Sequence, residues 1–197
     1  MNVVNNKIKI GVLALQGAFI EHAHRLEELN VDSFEVRQKK DLHKEMDGLI
    51  IPGGESTTMY KLLIDLEMSE TLINLIRNGL PVLGTCAGLL LLAKEVENHT
   101  QSFLNLMDIK ARKNAYGRQL GSFRCKGSFG DYKDLEFVFI RAPYIVSSSE
   151  NVEILAKHNK KIVAARQENI LVTAFHPELS NNTKIHEYFL GMVKNRF

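Results

Sequence analysis

Continuous apolar runs, separated by short glycine-rich turns, dominate the first half of the chain. The runs at residues 7–15, 47–51 and 82–83 are typical of strands buried on both faces of a sheet. Residues 19–29 and 69–78 instead carry apolar side chains near helical spacing, which predicts helices. The pattern also predicts a strand at 33–37 and a helix from Ser56 to about Leu66, capped by Ser56, Thr57 and Thr58. The helix that begins at 69 is expected to have Ser69 as its N-cap and Gly79 just after its C-terminus. Strands alternating with helices in this order predict βαβ units on a parallel sheet.

The second half is richer in strands. Residues 97–105 are polar, and runs typical of strands follow at 135–141, 152–156, 162–166 and 170–175. Glu168-Asn169 predicts a hairpin turn, and residues 183–194 predict a last helix. Because the chain shows no repeat or linker, we expect one domain over residues 1–197. The expected α/β architecture is a central, mostly parallel sheet with helices on both faces and extra antiparallel strands in the second half.

Composition and charge narrow the classes of function. The formal net charge is +2, from 25 basic and 23 acidic residues, and no basic block stands out, so nucleic-acid binding has no support. No apolar run approaches the ~20 residues of a membrane span, and the N-terminus has no hydrophobic leader. The two cysteines, Cys86 and Cys125, cannot build a disulfide framework or a cysteine-based zinc site. We therefore expect a cytoplasmic enzyme without metal or cofactor, in a compartment that keeps thiols reduced.

The candidate chemistry is organised around Cys86. Residues 80–94 predict a strand, a sharp turn with Gly84 and Gly88 on either side of the cysteine, and a helix. This is the geometry of a nucleophile elbow, with cysteine in place of serine. The amides and the positive end of the helix stabilise a thiolate, which is the nucleophilic form of cysteine. The alternative is a buried cysteine that only fills the core, the commoner role in an apolar segment.

A candidate base lies at His176-Pro177-Glu178. Proline favours the extended region for the residue before it, and alternate residues of an extended segment face the same way. The Glu178 carboxylate can then hydrogen-bond one imidazole nitrogen of His176 and leave the other for Cys86. The alternative is a histidine at a strand end beside a solvated glutamate. The remaining histidines, at positions 22, 24, 43, 99, 158 and 186, have polar contexts and are expected to be exposed or partly buried.

The turn PGGES at residues 52–56 is a third candidate, because ligands bind outside the carboxyl ends of parallel strands. Its glycines let backbone N–H groups face the cleft, and the Ala87 amide supplies a second donor for a tetrahedral oxyanion. An ordinary strand-to-helix turn is the alternative, and a phosphate loop would need a Walker lysine that is absent. Arg118 and Arg141 are weaker candidates for binding a substrate carboxylate or for an interface. A nucleophile, an oriented base and oxyanion donors together predict acyl transfer through a thioester.

Several segments of the chain resemble one enzyme family. They are GVLALQGA at 11–18, LIIPGGESTTM at 49–59, GTCAGL at 84–89, YGRQ at 116–119, FIRAP at 139–143 and FHPEL at 175–179. The cysteine elbow and the His-Pro-Glu motif resemble those of class I glutamine amidotransferases. The GESTT and LQGA segments resemble, more closely, the glutaminase subunits of pyridoxal 5′-phosphate synthases. The resemblance covers nearly the whole chain and implies the three-layer, flavodoxin-like fold of class I glutamine amidotransferases.

The resemblance also implies an activity, which is hydrolysis of L-glutamine to L-glutamate and ammonia. Cys86 would be the nucleophile, His176 the base and Glu178 the residue that orients it. The implied oxyanion hole consists of the amides of Gly54 and Ala87, and the implied glutamine pocket consists of Gly54, Glu55, Ser56, Arg118, Ile140 and Arg141. The implied partner is a (β/α)8-barrel synthase subunit that activates the glutaminase and uses the ammonia, received through a tunnel, with a pentose phosphate and a triose phosphate. Gln16 is expected near that interface.

Two departures from the family pattern lie beside the pocket segments. Ala115-Tyr116 stands where the family usually has Ser-Phe, and Tyr144 stands where it often has His. Two other functions remain open on the residues alone. One is a stand-alone cysteine amidohydrolase related to peptidases, and the other is a non-catalytic regulatory subunit that binds glutamine. The filled positions of the predicted triad argue against the second.

Overall fold

In the computed structural model, which describes residues 7–99, 103–113 and 121–196, helices lie between the strands up to Val96 and strands dominate afterwards. The strands are β1 (Lys9–Leu13), β2 (Asp32–Val36), β3 (Gly48–Ile51), β4 (Val82–Thr85), β5 (Ala93–Val96), β6 (Met107–Arg112), β7 (Ser122–Phe129), β8 (Tyr132–Ile140), β9 (Tyr144–Ser148), β10 (Glu153–His158), β11 (Lys161–Gln167) and β12 (Ile170–Thr173). The helices are α1 (Phe19–Glu28), α2 (Ser56–Asp65), α3 (Ser69–Arg77), α4 (Ala87–Leu92) and α5 (Lys184–Lys194). Short 3-10 helices cover Lys39–His43 and Pro177–Leu179.

A mixed sheet forms the centre of the fold. Within the described residues it has 10 strands in the order β2-β1-β3-β4-β12-β11-β9-β6-β5, and β10 pairs with β11. The strands β2, β1, β3, β4 and β12 are parallel neighbours, whereas β11 runs antiparallel to β9, β10 and β12. The strands β7 and β8 form a separate antiparallel hairpin. The expected parallel centre with antiparallel additions is confirmed.

Helices cover both faces of the parallel part. In β3, Gly48 and Ile51 point to opposite faces, since side chains alternate along a strand. A Cβ added to Gly48 would lie 2.9 Å from Val193 Cγ2, so this face of the strand packs against α5. A Cβ added to Gly88 of α4 would lie 3.2 Å from Ile51 Cγ2, so the other face packs against α4. The helices α4 and α5 therefore lie on opposite faces, and the expected three-layer arrangement is confirmed.

Some local expectations were wrong. The helix after the elbow ends at Leu92, and the chain continues directly into β5, which the apolar run did not predict. The strands β7 and β9 were also not predicted, and the strand predicted at 135–141, which corresponds to β8, pairs with β7 in a separate hairpin. The helix α3 begins at Ser69 itself, so the residue before it, Met68, occupies the cap position expected for Ser69. The hairpin turn at Glu168-Asn169 is present, with Gln167 paired to Ile170, and Gly79 follows α3 with φ +88° as expected.

No helix in the described part of the chain is long and apolar enough to cross a membrane.

Candidate active site

Cys86 occupies the sharp turn between β4 and α4. Its backbone has φ +50° and ψ −98°, a region that residues other than glycine rarely adopt. The flanking glycines permit this turn: a Cβ on Gly84 would lie 2.6 Å from Leu92 Cδ1, and a Cβ on Gly88 would lie 2.2 Å from the carbonyl oxygen of Ile51. The structure therefore has an elbow of the predicted type, although the helix behind it contains only 6 residues.

His176 lies beside Cys86, and Gly53 packs against both. A Cβ on Gly53 would lie 2.4 Å from His176 Cε1 and 3.3 Å from Cys86 Cβ. The Cys86 Sγ atom lies 3.9 Å from the carbonyl oxygen of Ile140. The buried Nε2 atom of His176 has no hydrogen-bond partner among the described residues. This nitrogen is therefore free to exchange a proton with the neighbouring thiol.

Glu178 holds the other side of the imidazole. Its Oε1 atom lies 2.7 Å from His176 Nδ1, and both side chains are buried. Burial opposes the charged imidazolium, but the Cys86 sulfur in its thiolate form and the Glu178 carboxylate outweigh it and raise the pKa of His176 to about 10. The pair forms in a different way from the one expected, because Glu178 lies in the 3-10 helix Pro177–Leu179 rather than in an extended segment.

The loop after β3 is fixed against the loop after β1. The carbonyl oxygen of Gly53 accepts a hydrogen bond from the Ala18 N–H at 3.1 Å, and the Glu55 N–H donates to Gln16 Oε1 at 2.7 Å. A Cβ on Gly54 would lie 2.6 Å from the same Gln16 oxygen. These contacts place the turn at residues 52–56 at the carboxyl ends of two neighbouring parallel strands.

The Glu55 carboxylate caps α2. It accepts hydrogen bonds from the N–H groups of Thr57 at 3.3 Å and Thr58 at 2.7 Å, and Lys113 Nζ donates to it at 2.6 Å. Burial favours the neutral acid, but these donors outweigh it and lower the pKa of Glu55 to about 2. The cap expected from Ser56, Thr57 and Thr58 is thus supplied by the residue before them.

A cavity of about 490 Å³ opens in front of Cys86. The predicted site residues in its wall are Gly54, Glu55, Ser56, Cys86, Ala87, Ile140, Arg141 and His176. Gln16 and Lys113 also line it, and nothing in the sequence pattern had marked Lys113. Glu178 lies behind His176 rather than in the wall. Arg118, Ala115 and Tyr116 lie outside the described residues.

Comparison with known proteins identifies the family of the chain. Residues 12–195 match the SNO glutamine amidotransferase family. The chain is 54% identical to pyridoxal 5′-phosphate synthase subunit PdxT of Methanocorpusculum labreanum, over 94% of this chain and 98% of the relative. The chain belongs to the SNO glutamine amidotransferase family. It is also 51% identical to the PdxT subunit of Desulforamulus reducens, over 94% of this chain and 99% of that protein. A crystal structure of a glutamine amidotransferase superposes on this SNO family chain with a TM-score of 0.89 and 38% identity, covering 94% of this chain and 98% of the other.

In this SNO family member, two histidines that were expected to be exposed or partly buried are fully buried behind the predicted triad. His22 lies on α1 and His186 on α5, and each has an exposed fraction of 0%. The Nε2 atom of His22 lies 3.4 Å from Glu178 Oε2 and 3.2 Å from Thr85 Oγ1. The Nδ1 atom of His22 lies 3.0 Å from His186 Nε2.

A signal for both histidines was present in the sequence. His22 falls between Phe19 and Leu26 at spacings of three and four residues, which places it on the apolar stripe of α1. His186 lies three residues before Phe189, which places it on the apolar stripe of α5. A histidine within the buried stripe of a helix needs polar partners inside the protein, and this requirement would have marked both positions.

Proposed function

We propose that the chain hydrolyses L-glutamine to L-glutamate and ammonia through a thioester on Cys86, and delivers the ammonia to a pyridoxal 5′-phosphate synthase. The observation that carries this proposal is that a strained elbow cysteine and His176 meet at the wall of one cavity, with Glu178 hydrogen-bonded to His176 from behind. Membership of the SNO glutamine amidotransferase family and the subunit names of its relatives support the substrate and the pathway.

The reaction begins with transfer of the Cys86 thiol proton to His176, whose raised pKa favours the imidazolium. The thiolate attacks the side-chain amide carbon of glutamine, a C–S bond forms, and the carbonyl oxygen becomes an oxyanion. The imidazolium then gives its proton to the amide nitrogen, the C–N bond breaks, and ammonia leaves behind a thioester. His176 next takes a proton from water, the hydroxide attacks the thioester, and the C–S bond breaks. The proton returns to the sulfur as glutamate is released.

The remaining roles follow from positions in the cavity wall. The Ala87 N–H is the first amide of α4, so the helix itself does not use it, and together with the Gly54 N–H it is assigned to the oxyanion. Glu55, Ser56, Ile140 and Arg141 are assigned to the glutamine pocket, and so is Arg118, which lies outside the described residues. The Ser56 Oγ atom is buried without a hydrogen-bond partner among the described residues, which suits a group that awaits a ligand.

A synthase subunit is the proposed partner, and we assign it the (β/α)8-barrel fold implied by the resemblance. The chain matches relatives named as synthase subunits over 98% and 99% of their lengths, which supports the same assembly. We also propose that residues 1–197 act as one glutaminase domain in the cytoplasm, where a reducing environment preserves the Cys86 thiol.

The test measures ammonia release from L-glutamine, with and without the synthase, for the wild type and for Cys86→Ala. Cys125→Ala is the matched control, because Cys125 is the other free cysteine and lies outside the cavity. We expect synthase-stimulated release by the wild type and by Cys125→Ala, and none above background by Cys86→Ala. Equal rates for the wild type and Cys86→Ala would contradict the thioester. A wild type that cleaves other amides at full rate without the synthase would favour the stand-alone amidohydrolase.

A further inference from the structure

A row of buried polar side chains continues from the predicted triad into the protein. Glu178 uses Oε1 for His176, whereas its buried Oε2 atom has no hydrogen bond among the described residues. Behind Oε2 lie His22, at 3.4 Å, and then His186, 3.0 Å from His22. The helix that carries His22 also holds the backbone of the same turn, because Arg25 donates to the carbonyl oxygen of Glu178 at 3.1 Å.

We propose that His22 is a positioning residue for the glutaminase, and that its neutral imidazole directs an Nε2–H toward the second carboxylate oxygen of Glu178. His186 fixes the tautomer of His22 that provides this N–H. The inference rests on the proposed function, since it requires His176 to be the base that Glu178 orients.

The choice of tautomer follows from the contact between the two buried rings. Two neutral imidazoles joined by one hydrogen bond consist of one donor and one acceptor. If His22 donated from Nδ1, His186 would keep a buried Nδ1–H that has no acceptor among the described residues, and a lone pair of His22 would face the Glu178 carboxylate. If His186 donates from Nε2, the two rings leave only an acceptor unpaired, which costs less than an unpaired N–H. His22 then presents its Nε2–H to the Thr85 hydroxyl at 3.2 Å and toward Glu178 Oε2 at 3.4 Å.

The charges around the two rings support neutral imidazoles. Burial lowers the pKa of His22, and it lowers the pKa of His186 to about 3. The charged groups that act on His22 are Glu178 and His176 from the segment after β12 and Glu21 from its own helix, and Arg25 acts on His186. A neutral His22 orients Glu178 without adding a second cation, so the carboxylate charge remains available to the His176 imidazolium.

The pair does not have the arrangement of a metal site. The described residues contain no group of three or more histidine, cysteine, aspartate or glutamate side chains placed to hold an ion. The Nδ1 and Nε2 atoms of the two rings are within direct hydrogen-bond distance, and this leaves no space for a metal between them.

The test compares three variants at one position in the complex with the synthase. His22→Gln keeps an amide donor at the reach of Nε2, His22→Asn keeps a polar group at the reach of Nδ1 only, and His22→Leu removes both. We expect His22→Leu and His22→Asn to lower kcat about 10- to 100-fold, the usual effect of losing a partner that orients a reacting group, with little change in KM for glutamine. His22→Gln should recover most of the loss. If His22 had a purely structural role, the kcat values of His22→Gln and His22→Asn would not differ in this way.

A spectroscopic measurement tests the tautomer without any turnover. Long-range ¹H–¹⁵N correlation spectra of the ¹⁵N-histidine-labelled wild type should show a neutral His22 protonated on Nε2 at pH 7. A charged ring, or a proton on Nδ1, would overturn the inference, as would wild-type kcat in His22→Leu. A wild type that shows the expected tautomer but releases no ammonia with the synthase would instead refute the proposed function.

Discussion

Gly53→Ala tests whether the predicted base and nucleophile pack around a glycine. The new Cβ would lie 2.4 Å from His176 Cε1, whereas ordinary contact begins at 3.4 Å, so the imidazole or the loop must move by about 1 Å. A misplacement of about 1 Å at a reacting group costs on the order of 100-fold in rate, which corresponds to about 2.7 kcal/mol of transition-state stabilisation. The overlap also strains the folded chain, by about 1–3 kcal/mol.

The assay is steady-state ammonia release at saturating synthase, combined with urea unfolding of the isolated variant. Gly191→Ala is the control, because a Cβ at that position in α5 meets no atom within 4 Å. We expect a large fall in kcat for Gly53→Ala in protein that remains folded, and wild-type kcat for Gly191→Ala. A folded Gly53→Ala variant with kcat within twofold of the wild type would refute this packing.

Three further predictions concern stability, each measured by urea unfolding. Gly88→Ala should lose at least about 1–3 kcal/mol, because its Cβ would lie 2.2 Å from a backbone oxygen of Ile51; an unchanged midpoint would contradict the close packing of the elbow. Glu55→Ala should lose about 1 kcal/mol with the cap of α2, and Glu55→Asp should lose less; equal losses would contradict the capping role. Burial lowers the pKa of His186 from 6.5 to about 3, so the stability due to its neutral ring is present above pH 6.5 and is lost as the pH falls toward 3. This group changes the free energy of unfolding by at most about 1.4 kcal/mol per pH unit, and His186→Gln should remove that contribution. The same pH dependence of stability in the wild type and in His186→Gln would contradict the assignment of this effect to His186.

The parallel centre of the sheet could be predicted because its strands have a simple pattern. The strands β1, β3 and β4 are buried on both faces and therefore appear as continuous apolar runs. The short strand β5 was missed because no turn residue separates it from α4, and because only its two end residues, Ala93 and Val96, are buried, so it shows no alternation. The strand β9 was missed because only Ile145 within it is buried, so the alternation is weak.

The parts of the candidate site that lie in sequence motifs were predictable, whereas the parts that depend on tertiary contacts were less so. The segments around Cys86 and His176 placed the elbow and the base in one cleft, although the turn that brings Glu178 to His176 is a 3-10 helix. The contact of Lys113 with Glu55 joins distant parts of the chain, and no local pattern reports it. Polar sequence context alone suggested that His22 is exposed or partly buried, whereas its position on the apolar stripe of the helix determines that it is fully buried.

The central claim is covalent chemistry at Cys86, and mass spectrometry after labelling tests it most directly. The complex with the synthase is incubated with a chloroketone analogue of L-glutamine, with and without excess L-glutamine, and the digested chain is analysed. We predict one adduct, on the peptide that contains Cys86, which L-glutamine prevents and which Cys86→Ala abolishes. An adduct confined to Cys125, or labelling of Cys86 that L-glutamine does not reduce, would contradict the account.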